Sequence, residues 1–203
     1  MLHKVVQLGG KSYFWLEKTN VVSMIQEYQV SGFRVREYEE LGSTNTEAER
    51  VGWDELEDKM VILTYRQTQG RGQIGNHWES EPGKNISMTV VFKPRELPAG
   101  QQFAVSMVIA LGTYDFISRY VNGCFVKWPN DIYVGDRKIS GILIEHTIMG
   151  RYVGGSLCGI GVNVNQERFL SDAPNPVSLF QLIGEKIPVE RVLGELLDCV
   201  GKR

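Results

Sequence analysis

The stretch that decides the fold is FVKWPNDIYVGDRKISGILIE, residues 125–145. It opens with a short apolar run that ends at Pro129, because proline cannot donate a hydrogen bond inside a sheet. Two more apolar runs, residues 132–134 and 139–145, flank GDRK, where glycine followed by aspartate suits a tight turn. The pattern predicts a short strand followed by a β-hairpin.

Further strands are predicted on both sides of this hairpin. The apolar or alternating runs cover residues 34–39, 60–65, 86–92 and 152–164. They differ in glycine content, and the last one is loosened by several glycines. Together with the hairpin they are enough for one sizeable sheet.

Three helices are predicted from side-chain spacing. Residues 103–117 indicate a largely buried helix and residues 189–200 an amphipathic one. A helix is also expected after Asn45, where Thr46 and Glu49 resemble a capping box. Strands in hairpins mixed with helices predict an α+β fold around one mixed sheet.

Composition narrows the class of protein. The chain has 203 residues, 42% hydrophobic and 23% charged, as in a globular domain. A net charge of −2 argues against a general nucleic-acid binder. No apolar run reaches the length of a membrane span, and the N-terminal residues lack the apolar core of a signal peptide. Three scattered cysteines predict neither a disulfide framework nor a zinc site, and favour the cytoplasm.

Polar motifs mark a candidate anion site. In QTQGRGQIGNHW, residues 67–78, glycines allow close backbone approach and Arg71 offers a planar fork for phosphate. No helix pattern follows, so a dinucleotide-binding motif is excluded, and a flexible hairpin loop explains this stretch equally well. In KWPND, Lys127 could neutralise phosphate and Asp131 could hold an amine. A solvated lysine in a polar turn is the commoner outcome, and the same holds for Lys138.

Asn163 and Asn165 alternate in GVNVN, residues 161–165. Period-two spacing would point both amides to one face of a strand. They could bind a polar ligand or simply end the strand, and spacing alone favours the strand end.

Taken in order, these motifs resemble the biotin protein ligases, the biotin–[acetyl-CoA-carboxylase] ligases of the biotin/lipoate ligase superfamily. The resemblance rests on five stretches: 43–45, 67–78, 127–131, 138–145 and 159–165. KWPND followed by KISGIL is its most specific part. It implies one catalytic domain over residues 1–203, with a mixed, largely antiparallel sheet flanked by helices, as in class II aminoacyl-tRNA synthetases.

The resemblance also implies a two-step reaction. Biotin is activated by ATP, with Mg²⁺, as biotinyl-5′-AMP, and is then transferred to a lysine of a biotin carboxyl carrier protein. Both steps need alignment and charge neutralisation rather than a protein nucleophile.

Residue roles follow from the same resemblance. The catalytic residues would be Lys127, Arg71 and Asp131. Biotin would contact Ser43, Thr44, Asn45, Gln67, Gly70, Arg71, Gly72, Gln73, Lys138 and Gly141. The nucleotide would contact Arg71, Trp78, Lys127, Asn130 and Asn163. No protein ligand for the metal is predicted.

The chain departs from the family pattern in three ways. Gln73 and Asn76 stand where many relatives carry arginines, which bears on how tightly the adenylate is retained. The residues before the catalytic pattern are too few for the winged-helix domain of some relatives. The usual small C-terminal β domain is also not expected. We therefore expect no nucleic-acid partner and no membrane partner, while a homodimer stays open.

Two other functions stay open. A lipoate or octanoate ligase or transferase has a similar fold, although KWPND with KISGIL argues against it. An acyltransferase would also need a cysteine nucleophile, and Cys124 and Cys158 look structural. The second alternative is a non-catalytic biotin- or nucleotide-binding module.

Overall fold

The computed structural model describes residues 4–8, 11–15, 23–73, 75–171 and 173–203. Parts of the predicted 1–203 domain, including residues 1–3 and 9–10 of the N-terminal segment tested for a signal peptide, lie outside these residues. Ile74 of the glycine-rich loop lies outside them as well. Among the described residues, no helix is long and apolar enough to cross a membrane.

Twelve strands and four α-helices are described. The strands are β1 (Lys4–Leu8), β2 (Lys11–Trp15), β3 (Met24–Val30), β4 (Phe33–Tyr38), β5 (Met60–Thr64), β6 (Gly70–Arg71), β7 (His77–Trp78), β8 (Ile86–Phe92), β9 (Cys124–Lys127), β10 (Asp131–Val134), β11 (Arg137–Met149) and β12 (Tyr152–Val162). The helices are α1 (Thr44–Val51), α2 (Phe103–Ile117), α3 (Leu179–Ile183) and α4 (Val189–Gly201), with a 3-10 turn at Ala99–Gln101.

Eight of the strands form one sheet, in the order β3-β4-β5-β8-β12-β11-β10-β9. Only the β4–β5 pair of this sheet is parallel, and its other neighbours are antiparallel. Two small hairpins, β1–β2 and β6–β7, stand apart from it. The predicted mixed, largely antiparallel sheet is therefore confirmed.

The two faces of the sheet have different coverings, because successive residues of a strand point to opposite sides. Ile86, Met88 and Val90 of β8 belong to the main core, which α2 and α4 complete. On the opposite face, Val91 joins a smaller cluster under α1. Ser87 and Thr89 of β8 share that second face, and the part of it around Ser87 is open to a cavity.

The helix predictions are confirmed in position and corrected in detail. The helix α1 begins at Thr44 with Ser43 as its N-cap, so the capping box predicted at Thr46 and Glu49 is wrong. Both residues lie inside the helix, and Glu49 instead pairs with Arg71. A capping box does occur at Ser178, ahead of α3, a helix that the sequence pattern missed.

The helix α2 was expected to be largely buried, and on one face it is not. Phe103, Met107 and Leu111 follow one another at four-residue spacing and are 41%, 47% and 39% exposed. Their side chains form an exposed apolar face, which helical spacing alone does not distinguish from a core face.

Close packing of α2 against α4 yields a stability test. A Cβ atom at Gly112 would lie 2.7 Å from the Cα atom of Val200, so one helix must shift to accept it. We expect Gly112→Ala to lower the free energy of unfolding in urea by about 1–3 kcal/mol.

The matched control is Gly194→Ala in α4, where the nearest atom is 3.8 Å away. Alanine there is expected to stabilise the protein by about 0.5–1 kcal/mol. Equal effects of the two substitutions on unfolding would contradict the packing described.

Candidate active site

A row of small residues forms the floor of the cavity. Gly141 of β11 is the cross-strand partner of Gly161 of β12, which is in turn the partner of Ser87 of β8. In the next row, Gly159 lies between Leu143 and Thr89. Because glycine carries no side chain, larger groups can approach the backbone of the sheet here.

The indole of Trp78 lies directly on this floor. A Cβ atom at Gly161 would be 2.3 Å from Trp78 Cε2, and one at Gly141 would be 2.9 Å from Trp78 Cζ3. On its backbone side, Trp78 pairs with Gly70 across β6 and β7. A Cβ atom at Gly70 would be 2.2 Å from the Trp78 carbonyl oxygen. Gly70 therefore positions Trp78 and does not itself line the cavity.

Asn45 lies on the second row, and its side-chain amide forms hydrogen bonds within the protein. A Cβ atom at Gly159 would be 2.4 Å from Asn45 Oδ1. The Thr89 hydroxyl donates to that oxygen (2.6 Å), and Asn45 Nδ2 donates to Glu145 Oε2 (2.7 Å). With its hydrogen bonds directed inward, Asn45 fixes the shape of the floor.

Glu145 connects this buried network to the glycine-rich loop. Its other oxygen accepts a hydrogen bond from Arg71 Nη2 (2.5 Å), and Arg71 Nη1 donates to Glu49 Oε1 (2.9 Å). The hydrogen bond to Glu49 and the charge of Glu145 raise the pKa of the Arg71 guanidinium. Arg71 thus has its orientation set by two carboxylates at the edge of the cavity.

At the next cavity wall, Lys138 forms an ion pair with Asp131. The Lys138 Nζ atom lies 2.8 Å from Asp131 Oδ2 and 5.8 Å from the centroid of the Trp78 ring. Asn130 accepts a hydrogen bond from Gln73 (3.2 Å), and its Nδ2 donates to the carbonyl of Ile142. Asn130 and Asp131 of KWPND and Gln73 of the glycine-rich loop therefore line the same cavity.

Lys127 does not share this position. It is exposed, it is not among the cavity-lining residues, and its Nζ atom donates to the Tyr133 hydroxyl (3.3 Å). Tyr133 itself lines the cavity. The structure therefore puts one residue between Lys127 and the cavity, and the lysine that reaches the cavity directly is Lys138.

The cavity has a volume of about 580 Å³, within the range of small-molecule sites. It brings together most of the residues predicted from the sequence. The predicted residues that line it are Ser43, Thr44, Asn45, Gln67, Arg71, Gly72, Gln73, Trp78, Asn130, Asp131, Lys138, Gly141 and Asn163. Their roles toward a ligand stay predictions.

Three buried polar atoms at the cavity have no partner among the described residues: Trp78 Nε1, Ser87 Oγ and Asn163 Oδ1. They surround Gly161, because Ser87 is its cross-strand partner and Asn163 follows two residues later. An unsatisfied buried polar group costs about 1–3 kcal/mol. These atoms are therefore the unsatisfied polar groups of the described residues beside the cavity.

The two asparagines of GVNVN have different roles. The strand β12 ends at Val162, ahead of both. Asn165 bonds to the backbone N–H and carbonyl of Ile187, so the structural interpretation holds for it. Asn163 Nδ2 donates to the Val177 carbonyl (3.1 Å), while its oxygen has no partner among the described residues. The expected shared face is wrong because the strand stops before the pair.

Sequence reasoning missed two parts of the site. Ser87 is one, although a serine within the apolar run ISMTVVF is a detectable signal. The other is an outer wall that includes Glu79, Phe169, Ser171 and Pro176. This wall has no apolar periodicity, so nothing in the local pattern indicates it.

The contact between Trp78 and Gly161 can be tested spectroscopically. We expect Gly161→Ala to displace the indole and to remove the Trp78 contribution from the near-ultraviolet circular dichroism spectrum. That contribution is defined by the difference between the parent protein and Trp78→Phe.

Gly154→Ala in the same strand is the control, because its Cβ atom would meet only the flexible side chain of Met149. It should leave the spectrum unchanged. A parental spectrum for Gly161→Ala would show that Trp78 does not lie on the glycine floor.

Comparison with known proteins shows the family to which the chain belongs. Residues 38–163 match the model of the biotin/lipoate A/B protein ligase family. The chain is 29% identical over 212 residues to the bifunctional ligase/repressor BirA of Bacillus subtilis, covering 99% of this chain and 64% of that protein. It is 35% identical over 127 residues to the biotin–[acetyl-CoA-carboxylase] ligase of Paracoccus denitrificans, covering 60% of this chain and 51% of that protein.

Solved structures agree on the fold. The biotin protein ligase of Aquifex aeolicus in complex with biotin and ATP superposes with a TM-score of 0.69 at 24% identity. The match covers 83% of this chain and 68% of that one. Since the family model spans more than half of the sequence, the chain belongs to the biotin/lipoate A/B protein ligase family.

Proposed function

We propose that this protein activates biotin with ATP as biotinyl-5′-adenylate and transfers biotin to a lysine of a biotin carboxyl carrier protein. The observation that carries the proposal is the single cavity that gathers Arg71, Lys138, Asp131 and the glycine floor. Family membership supports it, as do relatives named as biotin ligases. The Aquifex aeolicus protein of the same fold is described in complex with biotin and ATP.

In the first step, a carboxylate oxygen of biotin attacks the α-phosphorus of ATP. The bond to the β-phosphate oxygen breaks, and pyrophosphate leaves. In the second step, the deprotonated amine of an acceptor lysine attacks the carbonyl of the mixed anhydride. AMP departs, and an amide remains.

Charge neutralisation in both steps is assigned to Arg71 and Lys138. Biotin carboxylate and the α-phosphate repel each other, and cations at the cavity reduce that repulsion. Three hydrogen bonds, to Thr46, Glu49 and Glu145, occupy donors of Arg71, and a guanidinium has five. Two donors therefore remain for an anion, in an orientation that the carboxylates have already set.

The two ends of the cavity differ in chemistry. We assign the biotin ring to the end lined by Ser43, Thr44 and Gln67, where the side-chain oxygen Oε1 of Gln67 accepts from the Thr44 N–H (3.0 Å). We assign the nucleotide to the end with Trp78 and Asn163. An aromatic ring suits a base, and the free oxygen of Asn163 requires a donor such as the amino group of adenine.

Magnesium belongs to the proposal as the partner of ATP. The described residues contain no group of three or more His, Cys, Asp or Glu side chains that could hold a metal. The carboxylate nearest to the cavity lysine, Asp131, already pairs with it. The proposal therefore has the ion bound by the phosphates, where it would shield their charge.

Biotin is preferred over lipoate or octanoate for two reasons. The Paracoccus denitrificans relative is named as a biotin ligase. A thiol acyl carrier also finds no support, because none of the three cysteines is among the cavity-lining residues. Burial raises the pKa of the Cys158 thiol well above its ordinary range, which opposes a thiolate nucleophile.

The proposal also includes a homodimer, in which two copies of the chain pair through an edge strand of the sheet, β3 or β9.

The test of this function uses the purified chain with biotin, Mg-ATP and a biotin carboxyl carrier domain. We expect biotin-dependent pyrophosphate release and a covalent mass increase on the carrier. Replacing biotin by lipoate is the control and should give neither signal. Biotin binding without pyrophosphate release would identify a binding module instead, and activity with lipoate alone would favour the other branch of the family.

Lys127 of β9 and Lys138 of β11 provide a matched pair of variants. Lys138→Ala should lower the rate of adenylate formation by about 100-fold or more, because its charge lies at the cavity. Lys127→Ala should have a much smaller effect, because the Lys127 side chain ends on Tyr133 outside the cavity. Single-turnover pyrophosphate release measures both, and a larger loss for Lys127→Ala would restore it as the catalytic lysine.

A further inference from the structure

Residues 169–171 form one part of the outer wall of the cavity, and the carboxylate of Glu79 attaches them to the end of the glycine-rich loop. Glu79 directly follows Trp78, and its Oε1 atom accepts from the Leu170 N–H (2.9 Å). Its Oε2 atom accepts from the Ser171 N–H (2.8 Å). Among the described residues, Glu79 is the only side chain that hydrogen-bonds to residues 169–171. A carboxylate on two consecutive N–H groups is a strong, charge-assisted arrangement.

A buried glutamine completes this attachment. Gln166 Nε2 donates to Glu79 Oε1 (2.9 Å), while Gln166 Oε1 accepts from the Glu81 N–H (3.0 Å). Gln166 also lies within hydrogen-bond reach of Asn85 Nδ2. The chain that leaves β12 is thereby held against the segment that carries Trp78.

Residues 175–177, another part of the outer wall, are attached to the β10–β11 hairpin at Lys138. The Lys138 N–H donates to the Asn175 carbonyl (2.8 Å), and the Val177 N–H donates to the Lys138 carbonyl (2.9 Å). Between these two attachments, Phe169, Ser171 and Pro176 line the cavity. Residues 169–171 are therefore attached to the Trp78 segment, and residues 175–177 are attached to the Lys138 segment.

The electrostatics of Glu79 agree with a carboxylate that works in its charged form. Burial alone would raise the pKa of Glu79, but the hydrogen bonds from Ser171, Leu170 and Gln166 outweigh it and lower the pKa. The group is therefore ionised at neutral pH, and its hydrogen bonds are retained there.

We propose that Glu79 is a positioning residue that holds the wall of residues 169–171 over the nucleotide end of the cavity and so retains the nucleotide and its acyl-adenylate. This rests on the proposed function, because Trp78 and Asn163 define that end. The carboxylate acts through the wall and is not assigned a contact with the reacting atoms. Removal of its charge releases the wall without altering the glycine floor.

The test compares Glu79→Gln with Glu81→Gln. Glutamine keeps the size of Glu79 but offers one acceptor oxygen, and its amide hydrogens would face the N–H groups of Leu170 and Ser171. Glu81 is exposed, and its carboxylate has no hydrogen bond or ion pair among the described residues, so Glu81→Gln makes the same charge change without the attachment. Glu79→Asp, which keeps the charge on a shorter side chain, is the conservative variant.

For Glu79→Gln we expect the KM for ATP, and the dissociation rate of preformed biotinyl-adenylate, to rise about 10-fold or more. The Kd for biotin should change less than about twofold, since the biotin end is untouched. Glu81→Gln should match the parent in all three quantities, and Glu79→Asp should lie between. Unchanged ATP and adenylate constants in Glu79→Gln would overturn the proposal, as would an equal loss of biotin affinity.

Amide hydrogen exchange by NMR separates this proposal from the function on which it rests. Exchange at Leu170 and Ser171 should become at least 10-fold faster in Glu79→Gln but not in Glu81→Gln, and this readout needs no activity. Unchanged exchange would overturn the proposal. Failure of the parent to form adenylate would overturn the proposed function instead. If Glu79→Gln does not fold, the same comparison is made with Glu79→Asp.

Discussion

The rest of the site depends on three glycines of the central strands β11 and β12, which leave no side chain at their positions in the sheet. Gly141, Gly159 and Gly161 let Trp78 and Asn45 lie against the backbone of β11 and β12. Any side chain at Gly159 or Gly161 would come within 2.4 Å of atoms of these residues. The floor is therefore held by packing from above as well as by its strand pairing, and the shape of the cavity follows from it.

Charge at the site is arranged in pairs rather than as one positive patch. Arg71 is held by Glu49 and Glu145, and Lys138 by Asp131. Each cation is thus fixed in place before an anion arrives, which lowers the entropy lost on alignment. The same pairing places two cations at the cavity of a chain whose net charge is −2. Reaction by alignment and neutralisation also agrees with cysteines that lie outside the cavity lining.

Most strands of the sheet, and the motifs that line the cavity, could be predicted from the sequence, because apolar runs and short ordered motifs are local patterns. It could not show that Lys138 lines the cavity and that Lys127 does not. That distinction depends on the packing of Lys127 against Tyr133 and on the ion pair that draws Lys138 to Asp131. Ser87 and Glu79 were missed because their importance comes from partners far along the chain. Glu79 contacts Gln166 and Ser171, which lie 87 and 92 positions further along the chain.

The most direct test of this account is a crystal structure with biotinyl-5′-adenylate bound. The account predicts that the ligand lies in the cavity against Trp78 and Asn45, which cover the glycine floor, with its phosphate near Lys138 and Arg71. It also predicts that the base lies beside Trp78 and donates a hydrogen bond to Asn163 Oδ1. A ligand bound outside this cavity, or one whose phosphate contacts Lys127 in place of Lys138, would contradict it.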